Sequence, residues 1–220
     1  KGEGISRRSL NKKELRDHAV AAIQETLSAG ETPMGVGKWL KDIFVTPIQD
    51  FAMNQLVIRK RGSVTDSAYT LAGDILVYQA RGQAIRQFIR SKILSEQVEP
   101  PVVLLTHSLG GIACVDLLIE EDLRERVKGL ITVGSQAPFL YEIGALQSLA
   151  YGEPLPPHFP DNWLNIYALK DILSYVGSSI FPGRVEDQEV DNDPPFPEAH
   201  SAYWENDETW NKIGEFLKCL

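Results

Sequence analysis

A short apolar run, Val102-Val103-Leu104-Leu105, passes without a break into Thr106-His107-Ser108-Leu109-Gly110-Gly111, and a helix-like stretch begins at once with Ile112. Few backbones satisfy that order. A continuous run rich in β-branched residues suits a strand buried on both faces of a parallel sheet. The glycines after it allow a sharp reversal and a close helix, so strand, turn and helix must follow within a few residues. Similar runs return at Leu130 to Val133 and from Trp163 to Leu169, with the apolar-then-acidic stretch Ile112 to Glu121 between the first two. Strand, helix, strand at this spacing predicts a βαβ unit and an α/β fold. A weaker alternating stretch, Arg184 to Val190, is read as a last strand, and Asp207 to Leu217 as a final helix.

Before Pro100-Pro101 the pattern is helical. Leu15, Ala19, Ala22, Ile23 and Leu27 recur at helical spacing and stop at Gly30; Leu40, Ile43, Phe44, Ile48 and Phe51 form a second amphipathic set divided by Pro47. A third runs from Ala72 to Val98, weakened in its middle by Gly82. Residues 1–99 are therefore expected to be mainly helical, and 100–220 to run from the strand before Ser108 to a C-terminal helix within one domain.

At 220 residues the chain holds one sizeable core, and its net charge of −8, with both signs mixed, leaves no broad basic footprint for nucleic acid. The two cysteines, Cys114 and Cys219, stand in no metal-ligand or redox spacing, so no metal is expected, and free thiols favour a reducing, cytoplasmic setting. No apolar run is long enough to cross a bilayer.

The turn itself carries chemistry. Ser108 at a helix N-terminus would have the Leu109 amide and the helix dipole aimed at a negative oxygen forming beside it. The plainer alternative is a polar loop in which Ser108 only caps the helix. A serine hydroxyl is a weak nucleophile at neutral pH and needs a histidine in hydrogen-bond reach, itself oriented by a carboxylate.

Following an apolar strand, His-Ser-Leu-Gly-Gly resembles the nucleophile elbow of the lipase-like α/β hydrolases. The resemblance runs from Val102 to the C-terminus and departs at Thr106, where the usual pattern has glycine. It implies a parallel sheet flanked by helices, a serine hydrolase acting on a carboxylic ester, with lipid esters included, and no cofactor. In that family the order is Ser, then Asp or Glu, then His. His200, after the last expected strand, is preferred as the base over His158, which lies among prolines; His107 is read as packing or pocket wall. Asp171, directly beyond the strand Trp163 to Leu169, is preferred as the acid. Asp161 lies at the wrong end of that strand, and Asp187, Asp191 and Asp193 are read as a solvated acidic loop. Ser135 and Gln136, in Gly-Ser-Gln-Ala-Pro, would edge the site and touch substrate, as His107 would from the wall; a simple turn explains Ser135 and Gln136 equally well.

Two expectations concern what precedes the elbow. No His-Gly after an apolar strand supplies a second oxyanion donor, and no early parallel strand is found. Since the chain also opens at Lys1, it is expected to be the C-terminal portion of a longer hydrolase, with the early strands upstream or in another chain. Gly35, Val36 and Gly37 are the alternative donors. Residues 39–61, apolar on one face and ending in Arg59-Lys60-Arg61, read either as a docked surface helix or as a lid in peripheral contact with a membrane. A second function class stands beside the enzyme: a hydrolase-like domain kept as a silent binding or signalling module.

Overall fold

The computed structural model describes residues 73–220. The expectations for the first two helical stretches, the Gly35 to Gly37 loop and residues 39–61 lie outside the described residues. Within them, four strands form one all-parallel sheet in the order β1-β2-β3-β4: β1 is Val102–His107, β2 Val127–Val133, β3 Asn162–Tyr167 and β4 Glu186–Glu189. The fold is α/β, as the run-and-helix pattern predicts.

The helical stretch expected from Ala72 to Val98 is two pieces. Residues 73–81 and α1, Gln83–Ile93, are separated by a turn at Gly82. A β-carbon at Gly82 would lie 2.7 Å from the Tyr78 carbonyl and from its ring, so the missing side chain makes room for an aromatic that is fully buried. Tyr78 donates to Asp116 at 2.8 Å, and Arg86 donates to Glu120 at 2.8 Å. These bonds tie the first helices to α2, Leu109–Glu120, in which Gly111 to Ile119 are all buried. A helix covered on every side from Gly111 to Ile119 has no solvated face, and over that span its sequence is apolar except for Asp116, which is paired with Tyr78.

Among the described residues the two outermost strands of the sheet differ. On β4 the residues are Glu-Asp-Gln-Glu, half-buried to exposed, which suits an edge that must not pair with another chain. On β1 they are Val-Val-Leu-Leu, yet Val102 to Leu104 are half-buried and Leu105 is 37 % exposed. Among the described residues β1 pairs with β2 alone. The expectation of a strand buried on both faces therefore holds for β2, whose last five residues are all buried, and not for β1.

One rung of the sheet is polar. Thr106, Thr132, Asn165 and Asp187 stand side by side in register across all four strands. Thr106 Oγ1 donates to the Ile131 carbonyl at 2.9 Å, Thr132 Oγ1 to Asn165 Oδ1 at 2.8 Å, and Asn165 Nδ2 to Asp187 Oδ1 at 2.7 Å. Asp187 was expected in a solvated loop. It is instead bound inward, and its carboxylate also accepts the Gly177 and Ser178 amides at 2.9 and 2.7 Å. Asp191, by contrast, is exposed and pairs with Lys170 at 2.8 Å.

The chain closes with α3, Ala137–Glu142, after β2, the short α4, Ala199–Ala202, and α5, Asp207–Lys218. Asn206 caps α5 by accepting the Glu208 amide, and acidic residues fill its first turn while Lys218 stands in its last, both complementing the helix dipole. No helix among the described residues is long and apolar enough to cross a membrane.

Candidate active site

The elbow forms because β1 delivers the chain to Ser108 and α2 must begin immediately. Ser108 is the only non-glycine residue with positive φ among those described, at φ 51° and ψ −125°. L-residues avoid that region, at a cost on the order of 1–3 kcal/mol, and such strain persists where the surroundings impose it. Here they do: the Ser108 amide is held by the Val133 carbonyl at 3.0 Å and its carbonyl accepts the Gly111 amide at 2.9 Å.

The departure at Thr106 is explained by space. A β-carbon on Gly110 would lie 4.0 Å from the Thr106 β-carbon, an ordinary contact, so this turn is open enough for threonine, whose hydroxyl serves the polar rung.

The three residues selected from the sequence meet. His200 Nε2 is 2.8 Å from Ser108 Oγ, and His200 Nδ1 is 2.9 Å from Asp171 Oδ2. Ser108 is half-buried, whereas His200 and Asp171 are 6 % and 2 % exposed. Asp171 sits beyond the carboxyl end of β3, where its Oδ1 accepts the Leu173 amide at 3.0 Å. His200 is presented by α4. His158, the rejected base, bonds through Nε2 to the carbonyl of Ile119, about 16 Å from the elbow along the axis of α2.

The Leu109 amide opens α2, where the first amides have no partner within the helix, and no acceptor among the described residues takes it. Beside the serine oxygen, an unpaired donor at the positive end of a helix is suited to a developing negative charge.

His107, read as packing or pocket wall, packs against His200, Tyr203 and Trp204. Its Nε2 donates to the carbonyl of His200 at 2.7 Å, and the two rings lie 4.7 Å apart between centroids. Burial, reinforced by the neighbouring imidazole of His200, pushes His107 down to about 4, so at neutral pH the ring is uncharged and donates as its Nε2–H tautomer.

Ser135 and Gln136, read either as edging the site or as a simple turn, form a hydrogen-bonded turn after β2. Both are buried, at 1 % and 2 % exposure. Ser135 Oγ accepts the Ala137 amide at 3.3 Å, and Gln136 Nε2 donates to the carbonyls of Gly134 and Leu173 at 2.9 and 2.8 Å. Gln136 thus ties the end of β2 to the loop carrying Asp171. The amide nitrogen positions that loop, while Gln136 Oε1 is buried without a hydrogen-bond partner among the described residues.

Two neighbours were missed. Gly134 has φ +57°, and a β-carbon there would lie 3.0 Å from the Tyr203 ring, 3.1 Å from Asp171 Oδ2 and 3.4 Å from His200 Cε1, so only glycine lets these groups close together. Tyr203, fully buried, donates to Asp171 Oδ2 at 2.8 Å. Its three-residue spacing from His200, one helical turn, was the available signal.

Among the described residues no group of three or more His, Cys, Asp or Glu side chains is arranged to hold a metal. Comparison with known proteins finds no matching family model, curated protein or solved structure. The chemical reading therefore rests on geometry: a strained serine, an imidazole in reach of its hydroxyl, a buried carboxylate on the far side of that imidazole, and a free amide beside the oxygen.

Proposed function

We propose that the protein is a serine hydrolase of the α/β-hydrolase type that cleaves a carboxylic ester through an acyl-enzyme on Ser108. The observation that carries this reading is the unbroken row Ser108 Oγ, His200, Asp171, with contacts of 2.8 and 2.9 Å, on a backbone strained at the serine. A structural N-cap needs neither the strain nor the two buried partners, and Ser108 makes no side-chain capping bond to its own helix.

Ser108 Oγ attacks the ester carbonyl as His200 Nε2 takes its proton, and the tetrahedral oxyanion is supported by the Leu109 amide. The imidazolium then returns the proton to the leaving alkoxide, the C–O bond breaks, and the acyl group remains on Ser108. In the second half water gives a proton to His200 Nε2 as its oxygen attacks the acyl carbon; the bond from that carbon to Ser108 Oγ then breaks, His200 returns the proton to Oγ, and the acid is released. Asp171 holds Nδ1–H, fixing the tautomer that leaves Nε2 free to accept. A carboxylic ester, lipid esters included, is the substrate class that the elbow's resemblance favours. A neighbouring strand beside β1 and the second oxyanion donor would come from residues beyond those described or from another chain.

A fluorophosphonate probe tests the reading. Wild-type protein is expected to be modified at Ser108, and Ser108→Ala and His200→Ala are expected to lose labelling. A folded wild type that remains unlabelled would overturn the hydrolase in favour of the silent binding module.

A further inference from the structure

The Asp171 carboxylate accepts three hydrogen bonds, and their distribution is uneven. Oδ1 takes the Leu173 amide, whereas Oδ2 takes both His200 Nδ1 at 2.9 Å and the Tyr203 hydroxyl at 2.8 Å. We propose that Tyr203 is a positioning residue for the Ser108 reaction: by sharing Asp171 Oδ2 with the imidazole, its hydroxyl sets both where that oxygen sits and how much of its charge His200 receives. The inference rests on the hydrolase reading.

Tyr203 closes the turn of helix that begins at Ala199, so base and phenol come from one element and converge on one oxygen. Moving α4 disturbs both bonds at once. Gly134 closes the other side, where a β-carbon would press on the Tyr203 ring and on Asp171 Oδ2 together. Tyr203 has no solvent to exchange its bond with, being fully buried, and burial beside the Asp171 charge raises its phenol well above the ordinary tyrosine range. The hydroxyl therefore keeps its proton and donates throughout the working pH range.

The consequence is electrostatic as well as geometric. When His200 takes the serine proton, the imidazolium is stabilised by whatever negative charge Oδ2 has left to offer. A second donor on that oxygen draws part of it away. With the phenol removed, the Nδ1–H to Oδ2 bond should tighten, the imidazolium should persist to higher pH, and the carboxylate should lose one of its anchors.

Tyr203→Phe in the full chain, followed by proton NMR of the His200 Nδ1–H and by fluorophosphonate labelling across pH, tests this. The Nδ1–H resonance is expected to move downfield, the acid limb of the labelling profile to move to higher pH, and the maximal labelling rate to fall at least about tenfold. Site-specific replacement of Tyr203 by 3-fluorotyrosine keeps the shape and makes a stronger donor, so its resonance is expected to move upfield; it also serves if Tyr203→Phe does not fold. Resonances unmoved in both variants, with wild type labelled normally, overturn the role of Tyr203 and leave the hydrolase intact. An unlabelled wild type overturns the hydrolase and any catalytic purpose for Tyr203, while the resonance still decides whether the phenol shares Oδ2.

Discussion

Gly111 and Ser135 pack so closely that a β-carbon on the glycine would stand 2.7 Å from the β-carbon of the serine. The first turn of α2 is thereby pressed onto the end of β2, and the Leu109 amide is held at the elbow. Gly111→Ala must push helix and strand apart, at a cost of about 1–3 kcal/mol for overpacking. Gly110→Ala meets only the distant Thr106 β-carbon and gains up to about 1 kcal/mol in helix propensity. Urea unfolding of the two variants should therefore move the midpoint in opposite directions, and equal effects would disprove the close approach.

Strain at Ser108 has its own signature. Ser108→Gly relieves a backbone at φ 51° that alanine would share with serine, so it should stabilise the protein by about 1 kcal/mol relative to Ser108→Ala. In a chain of this size that corresponds to about 2–4 °C in Tm. Both variants should lose fluorophosphonate labelling, and thermal unfolding of the pair isolates the strain from the chemistry.

The depressed His107 makes stability depend on pH. Its folded value of about 4 lies below the ordinary 6.5, so between those limits the unfolded chain binds more protons. The stability contributed by the neutral ring is complete above pH 6.5 and is lost as pH falls towards 4, amounting to at most about 3 kcal/mol. His107→Gln keeps a donor for the His200 carbonyl without titrating. Chemical denaturation between pH 7 and 4 should give a shallower decline for the variant, and parallel declines would show that His107 is not the group responsible.

The two cysteines should separate cleanly. Cys114 is buried within α2, and that burial pushes its thiol up to about 12, whereas Cys219 is exposed near the end of the chain. Ellman's reagent should titrate one thiol in the native protein and two after denaturation. Cys219→Ser should abolish the native reaction.

How far the sequence revealed all this depended on whether the signal was local. The turn at Ser108 was legible because strand, glycines and helix are contiguous, and His200 and Asp171 followed from their places after the expected strands. Tyr203 escaped because a tyrosine in an aromatic stretch, Ala-Tyr-Trp, reads as packing; its partner lies 32 residues away in the chain and only the closed fold brings them together. Asp187 was misread for a related reason. Its neighbours Glu186 and Gln188 are exposed and half-buried, and nothing in that polar stretch reveals that Asn165 and two loop amides face it. Ser135 and Gln136 lie in the right place, yet the backbone carbonyls that occupy Gln136 belong to loops no periodicity describes.

The polar rung of Thr106, Thr132, Asn165 and Asp187 bears on how such a site could be transplanted. Side chains alternate along a strand, so sliding any one strand by a single residue would turn its rung member to the opposite face and leave buried oxygens and amides without partners. Ser108 and Gly134 each lie two residues beyond the rung on their strands, which makes the rung the datum from which the height of the site is measured. A designer moving Ser108, Asp171 and His200 into another parallel sheet would have to carry these four residues too, or the three would emerge at unequal heights and fail to meet.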